Sequence, residues 1–208
     1  MNEDQLRDSV VAAARSIFTR GLTHGSTGNI SVRFGERIII TPTGSSLGTV
    51  ESEELAVIDA DGRHVDGNRP SKEAFLHAAV LRARPQAGAV VHTHSTHAAA
   101  VSCLAGLDPS DALPPLTAYF AMRVGSLPLL PYHAPGDRSL EELAETTARK
   151  SQAMLLANHG PVTSGHSLAA AIDAIEELEE TAKLFLLLQG RNVRTLTPEE
   201  AAKLAGAK

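Results

Sequence analysis

Apolar residues recur at a helical period along the start of the chain. Leu6, Val10, Val11, Ala14, Ile17 and Phe18 share one face and Arg20-Gly21 supplies a stop, so an amphipathic helix opens the molecule. The period then shortens from 3.6 to 2. Residues 29–34 and 37–41 are rich in β-branched side chains and are separated by Gly35-Glu36, which predicts a hairpin. A third short apolar run at residues 56–59 ends in the turn-rich stretch 61–68. Ser71 suits the N-cap of a helix running to about Arg84, where Pro85 forbids continuation. The apolar run at residues 87–94 reads as a buried strand, 95–104 as a helix and 127–130 as extended chain. Residues 139–150 read as a helix with Leu140, Leu143 and Thr147 on one face, and 154–157 as another strand. A long helix over residues 167–189 carries Leu168, Ile172, Ile175, Leu178, Ala182 and Phe185 inward and Glu176, Glu177, Glu179 and Glu180 mostly outward. Hairpins early and β-then-α units later predict an α/β sandwich of three layers. With no repeat and no linker, residues 1–208 are expected to form one domain.

Composition narrows the partners. A chain of 208 residues buries about 70% of its unfolded surface without staples. With no Trp, its core volume must come from Ala, Val, Leu and Ile. The formal charge of -5, with 19 scattered basic residues, argues against a nucleic-acid surface, which needs clustered cations. No apolar run approaches the roughly 20 residues needed to span a bilayer, so no membrane association is expected. The N-terminus MNEDQLRDSV is acidic and amphipathic and shows no secretory signal. Cys103 is the single cysteine and lies in an apolar stretch, residues 98–104, that reads as buried, which fits a reducing cytoplasm.

The sharpest chemical signal is Val90-Val91-His92-Thr93-His94, where two imidazoles lie two residues apart at the end of the apolar run. On a strand they project from the same face, and neutral imidazole is the commonest ligand for zinc. The plain alternative is a polar strand end. Glu73 lies in the first turn of the helix beginning near Ser71, where a carboxylate can reach a metal at a strand-helix junction or simply complement the helix dipole. His159 follows the strand at 154–157 at a loop tip, where functional side chains are commonly held, or it is an ordinary turn residue. Three histidines with one glutamate suit zinc, with Mn, Co or Fe as alternatives by ligand type. His97 points away from the strand face if the chain is helical after Ser95. His24, His64, His77, His133 and His166 lack partner spacing and read as surface or locally hydrogen-bonded residues.

Two small polar loops, Gly25-Ser26-Thr27-Gly28-Asn29 and Thr41-Pro42-Thr43-Gly44-Ser45-Ser46, adjoin predicted strands. Each offers backbone N–H and hydroxyl donors to an anion, or is an ordinary turn. Ser71-Lys72 at a helix N-terminus adds a dipole end and a point charge directed at the same place.

The segments GSTGNISVR (25–33), TPTGSSLG (41–48), SKEAFLHAAVLRARPQAGAVVHTHSTH (71–97) and LLANHGPV (155–162) resemble the class II aldolase/adducin family, and the likeness runs from about Arg7 to Arg191. The resemblance implies an α/β/α sandwich around a mostly antiparallel sheet, assembled as a homotetramer with active sites between subunits. It implies one Zn2+ per subunit, with Mn2+ or Co2+ as alternatives, held by Glu73, His92, His94 and His159, with Glu73 also acting as acid/base. The family's phosphate pocket maps onto Gly28, Asn29, Thr43, Gly44, Ser71 and Lys72. Within the family, SKEAFLHAAV, STHAAAVSCL, LPPLTAYFAMRVG and AIEELEETAKLFLLLQGR are similar to the branch that decarboxylates 3-oxo-tetronate 4-phosphates. The implied function is metal-dependent loss of carbon dioxide from such a sugar acid through a metal-stabilised enediolate, giving dihydroxyacetone phosphate. Tyr119, reaching a neighbouring subunit's site, is a second candidate for proton handling. Arg123 is a candidate for the carboxylate or phosphate, or is an interface arginine.

Fuculose-phosphate-type aldolases tend to carry two serines before the acidic residue and a catalytic tyrosine near the C-terminus. Here Ser71 is followed by Lys72, and the only tyrosines are Tyr119 and Tyr132. Ribulose-phosphate 4-epimerases use an acidic residue where this chain reads Thr117-Ala118-Tyr119. Aldolase and epimerase activity on the same metal site are therefore the alternatives, and a non-catalytic adducin-like binding module is the third. A scaffold has no need of Glu73 alongside three histidines.

Overall fold

Three consecutive isoleucines show how the layers form. In the computed structural model of the chain, which describes residues 2–205, Ile38 and Ile40 pack with Phe75, Leu76 and Leu140, whereas Ile39 packs with Val10, Ala14 and Ile17. Successive side chains on a strand point to opposite faces, so an unbroken apolar run requires both faces to be covered. The same alternation recurs in the middle of the sheet. Val90 faces the first cluster, and Ala89 and Val91 face the second.

The elements in chain order are α1 (Glu3–Thr19), β1 (Asn29–Phe34), β2 (Arg37–Ile40), β3 (Ala56–Ile58), β4 (His64–Asp66), α2 (Ala74–Ala83), β5 (Ala89–His92), α3 (Thr96–Ser102), α4 (Ala118–Arg123), β6 (Leu129–Leu130), α5 (Glu141–Ala148), β7 (Ala153–Leu156), β8 (Gly160–Gly165), α6 (Leu168–Leu187) and α7 (Pro198–Ala205). Eight strands form one sheet in the order β4-β3-β2-β1-β5-β8-β7-β6. Every pairing is antiparallel except β6 with β7. Helices α2 and α5 cover one face. The other face is covered by α1 and the start of α6 over β1, β2 and β5, and by α3, α4 and the later part of α6 over β7. The three-layer α/β/α sandwich with a mostly antiparallel sheet is thus the architecture of the chain.

Several local expectations are corrected. Helix α2 starts after Glu73 rather than after Ser71, because the Ser71 hydroxyl bonds the Asn29 amide and the Glu73 N–H, and a turn with Ala74 N–H on Ser71 O precedes the helix. The strand expected to reach His94 ends at His92. The inward residues at α5 are Leu140, which caps its start, with Ala144 and Ala148, and Leu143 is 38% exposed. Glu179, expected outward, is buried, and Cys103, expected buried, is exposed at the end of α3. Strand β4 and helices α4 and α7 are not marked by the hydrophobic pattern of the sequence. Neither is β8, whose opening Gly160-Pro161 reads as a break.

The α5 correction is directly testable. Leu140→Ala is expected to lower stability by about 2–5 kcal/mol, as other core leucine truncations do, while Leu143→Ala stays within about 0.5 kcal/mol. Urea titration of both variants checks this, and comparable losses would return Leu143 to the core.

Candidate metal centre

One face of β1 is polar where a core strand is normally apolar. Ile30 and Val32 point toward α1, and Asn29, Ser31 and Arg33 point toward α2. Each of the three finds its partner on one side of α2, at intervals of four residues. Asn29 Nδ2 donates to Glu73 Oε2 at 2.8 Å. Ser31 Oγ lies 2.7 Å from His77 Nδ1. Arg33 Nη2 donates to Leu81 O at 2.7 Å. No buried side-chain nitrogen or oxygen lacks a partner among the described residues.

This ladder carries Glu73 to the end of β5. His92, paired in register with Asn29 and fully buried, lies with its Nε2 3.5 Å from Glu73 Oε2. Its Nδ1 donates to Pro161 O at 2.9 Å, which leaves the Nε2 lone pair free. His94 lies beyond the strand, yet its Nε2 stands 3.1 Å from His92 Nε2 and 3.0 Å from His159 Nε2. His159 Nε2 in turn is 3.4 Å from Glu73 Oε1. The ligand atoms of the three histidines all fall within 4.8 Å of one another.

The turn that presents His159 is held from two sides. Asn158 adopts φ 55, and it is the only non-glycine residue with positive φ among the described residues. Asparagine tolerates this left-handed conformation better than most residues. The Asn158 N–H donates to Ser102 O, and the His159 N–H donates to Ser102 Oγ. On the other side Gly160 presses against Thr93, leaving no room for a Cβ beside the Thr93 carbonyl oxygen. Helix α3, which follows His94, is anchored through its first turn by Glu179 of α6. That carboxylate accepts the His97 and Ala98 N–H groups at 2.9 and 2.8 Å, and it also meets His97 Nδ1 at 2.8 Å. His97 is therefore committed to Glu179 and stays out of the cluster.

The donor set suits a divalent ion. Burial, aided by His92 and His159, lowers His94 to about 3, and burial with His92 lowers His159 to about 4, so both are neutral and able to coordinate at pH 7. Burial alone would raise the Glu73 carboxyl, but His92, the Asn29 amide and His159 outweigh it and hold the group down at about 2. His94 Nε2 lies 3.0 to 3.1 Å from the Nε2 atoms of both other rings beside an ionised carboxylate, so neutral rings that turn their lone pairs inward repel one another, a repulsion that a cation relieves. Tetrahedral zinc with bonds of about 2.0–2.1 Å spaces its ligands only slightly wider, at about 3.3 Å.

The expected anion loops meet beside this cluster. Ser71 N–H bonds Thr41 O, Thr43 N–H bonds Arg69 O, and Asn29 Nδ2 reaches Ser71 Oγ at 3.1 Å. Gly28 has φ +78 and packs so tightly on the His92 carbonyl that a Cβ would overlap it, and Gly44 has φ +75. Lys72 is exposed and has no ion pair among the described residues. Tyr119 and Arg123 are not drawn into the cluster of their own chain. The Arg123 guanidinium lies 5.2 Å over the Tyr119 ring and 3.5 Å from Asp173, and neither side chain bonds any residue of the cluster.

His77, Ser31, Ser102 and Glu179 support the site and were not singled out from the sequence. His77 does stand four residues after Glu73 on a helix whose other sheet-facing positions are apolar, a spacing that could have drawn attention to it.

The sequence profile described as "Class II Aldolase and Adducin N-terminal domain" matches residues 8–186. A 3-oxo-tetronate 4-phosphate decarboxylase of Haemophilus influenzae is 46% identical over 199 residues, 95% of each chain. An L-fuculose phosphate aldolase of the same organism is 32% identical, over 99% of this chain and 94% of its own. Among solved structures, YgbL of Klebsiella pneumoniae, described only as an aldolase, epimerase or decarboxylase, superposes with a TM-score of 0.95 at 43% identity, covering 98% of this chain and 99% of that one.

Two measurements probe this geometry. Gly160→Ala should push the His159 turn away from Thr93 and lower bound zinc well below one equivalent by elemental analysis, and full loading would show that the close approach is dispensable. The second concerns acid. The folded pKa values of His77, His94 and His159, about 3, 3 and 4, lie below the ordinary histidine value of 6.5, so the unfolded chain binds more protons between pH 6.5 and 3. Stability is therefore complete above pH 6.5 and falls with acidification, by as much as about 1.4 kcal/mol per pH unit for the fully buried His77 and by less for His94 and His159, which solvent partly screens. Metal-free protein melted between pH 7 and 5 should lose thermal stability steadily, and a flat profile would contradict the buried neutral imidazoles.

Proposed function

Because the chain belongs to the class II aldolase and adducin family, we propose that it is a divalent-metal-dependent carboxy-lyase, converting a 3-oxo-tetronate 4-phosphate to dihydroxyacetone phosphate and carbon dioxide. The observation that carries this reading is the meeting of three imidazoles and one ionised carboxylate beside loops rich in anion donors. The preference for decarboxylation over aldol cleavage follows the identities, 46% to a decarboxylase against 32% to an aldolase.

The reaction breaks the C1–C2 bond, moves its electron pair toward the 3-carbonyl and places a proton on C2. A divalent ion, zinc by the character of its ligands, supplies a Lewis acid at the carbonyl oxygen when held by His92, His94, His159 and Glu73. Ser71, Lys72, the Thr43 side chain and the backbone of Gly44 bind the 4-phosphate, Asn29 holds the Ser71 hydroxyl in place among them, and Gly28 lets the backbone come close. Glu73 handles the proton, a role supported by its carboxylate lying between the Asn29 amide and the imidazoles. Tyr119 and Arg123 serve a neighbouring copy in a homotetramer, Tyr119 as proton donor and Arg123 on the carboxylate or phosphate.

The deciding experiment offers purified, zinc-loaded protein a 3-oxo-tetronate 4-phosphate and, separately, dihydroxyacetone phosphate with aldehydes. Carbon dioxide and dihydroxyacetone phosphate are expected from the first, with activity lost to a chelator and restored by zinc. Condensation alone would reassign the chain as an aldolase. Absence of both bound metal and metal-restored activity would make it a binding module.

A further inference from the structure

We propose that His77, set by Ser31, is a positioning residue that orients the Glu73 carboxylate through Asn29. The inference deepens the decarboxylase reading and rests on Glu73 having the role given to it there. Four side chains, Ser31, His77, Asn29 and Glu73, form one buried line from β1 to the cluster, and only the last of them is a candidate ligand.

The direction of each hydrogen bond along this line follows from elementary donor and acceptor chemistry. The Ser31 hydroxyl lies 2.7 Å from His77 Nδ1, and the neutral ring can accept there only if its proton is on Nε2. His77 Nε2 then donates to Asn29 Oδ1. With its oxygen so occupied, the Asn29 amide must turn its NH2 outward, where it donates to Glu73 Oε2 at 2.8 Å and to Ser71 Oγ at 3.1 Å. The opposite tautomer would bring Asn29 Oδ1 against the carboxylate, two acceptors in contact. Ser31 and His77 are fully buried, and Asn29 and Glu73 nearly so, which excludes bulk water from the exchange.

Packing alone does not call for these residues. The neighbouring β1 positions are Ile30 and Val32, and the residues flanking His77 on α2 are Leu76 and Ala78. An apolar pair at 31 and 77 would fill the space without the cost of burying a hydroxyl and an imidazole. The polar pair instead fixes which end of Asn29 faces Glu73, one step removed from the ion, where hydrogen-bond partners commonly govern affinity and activity.

The test begins with long-range 1H–15N correlation of the histidine rings in metal-free wild-type protein, which should show His77 protonated on Nε2 and bare on Nδ1. A proton on Nδ1 overturns the proposal with no variant needed. Two substitutions then separate positioning from packing. Gln at 77 keeps a donor near the Nε2 position, whereas Asn places its amide near Nδ1 and leaves Asn29 without a donor. His77→Asn should lower zinc affinity, by chelator competition, or kcat by about 10–100-fold with KM little changed, and His77→Gln should recover most of the loss. Ser31→Ala should give an intermediate loss. Equal losses in the Asn and Gln variants, or losses that only track melting temperature, overturn the proposal. The failure of the underlying reading looks different, since wild-type protein would release no carbon dioxide while ring tautomer and zinc affinity still report on His77.

Discussion

Burial of Asn29 and Ser31, with Arg33 half-buried beside them, on one face of a central strand is the constraint around which the molecule is arranged. Polar side chains packed between a sheet and a helix must be satisfied, and here Asn29, Ser31 and Arg33 each find a partner along one line at Glu73, His77 and the Leu81 carbonyl, with Arg33 also donating to Ala87 O. The match is metrical. Four residues of α-helix rise about 6 Å and two residues of strand about 6.7 Å, so a helix running alongside β1 in the same direction meets every second strand residue with every fourth of its own. The first rung of this ladder is Glu73, and the position of that carboxylate is therefore set by the whole length of α2 rather than by its first turn.

The remaining ligands come from elements distant in sequence and adjacent in the sheet. Strands β1, β5 and β8 are neighbours, so the start of β1, the end of β5 and the turn before β8 lie at one end of the sheet. Each is then secured by something outside its own strand. Pro161 O holds the His92 ring, Ser102 holds the His159 turn, and Glu179 holds the helix that follows His94. Buried hydrogen bonds of this kind are costly to leave half made, which favours one well-defined arrangement over several loose ones.

The legible parts of the chain were those whose pattern is local. Helices α1 and α6, the β1–β2 hairpin and the apolar run into His92 follow from periodicity and turn residues. His92 and His94 stood out because their spacing alone suggests a shared ligand. Glu73 and His159 carry no such spacing, and the family resemblance was needed to join them to the pair. The remaining features depend on partners far along the chain. Gly160-Pro161 opens a central strand because Pro161 contributes its carbonyl to Thr93 N and His92 Nδ1, a use that composition does not reveal. Glu179 reads in sequence as one more acid on a charged helix face, and its role depends on the N-terminus of α3 lying against it. Strand β4 is exposed throughout, so no apolar alternation marks it. Cys103 is exposed although Val101 and Ser102 just before it at the end of α3 are buried, so apolar neighbours in sequence do not decide its side.

The polar ladder also bears on how the chain avoids folding incorrectly. Shifting β1 by one residue against its neighbours would turn Asn29, Ser31 and Arg33 toward α1 and the apolar cluster of Val10, Ala14 and Ile17, where no group could satisfy them. Such a slip would also expel Ile30 and Val32 from that cluster. The residues that prepare the site for its ligands are thus the same ones that penalise the wrong alignment, so the site acts as a proofreading device for its own sheet. A chain that has reached its native register has already oriented Glu73, and no separate maturation of that side chain is required.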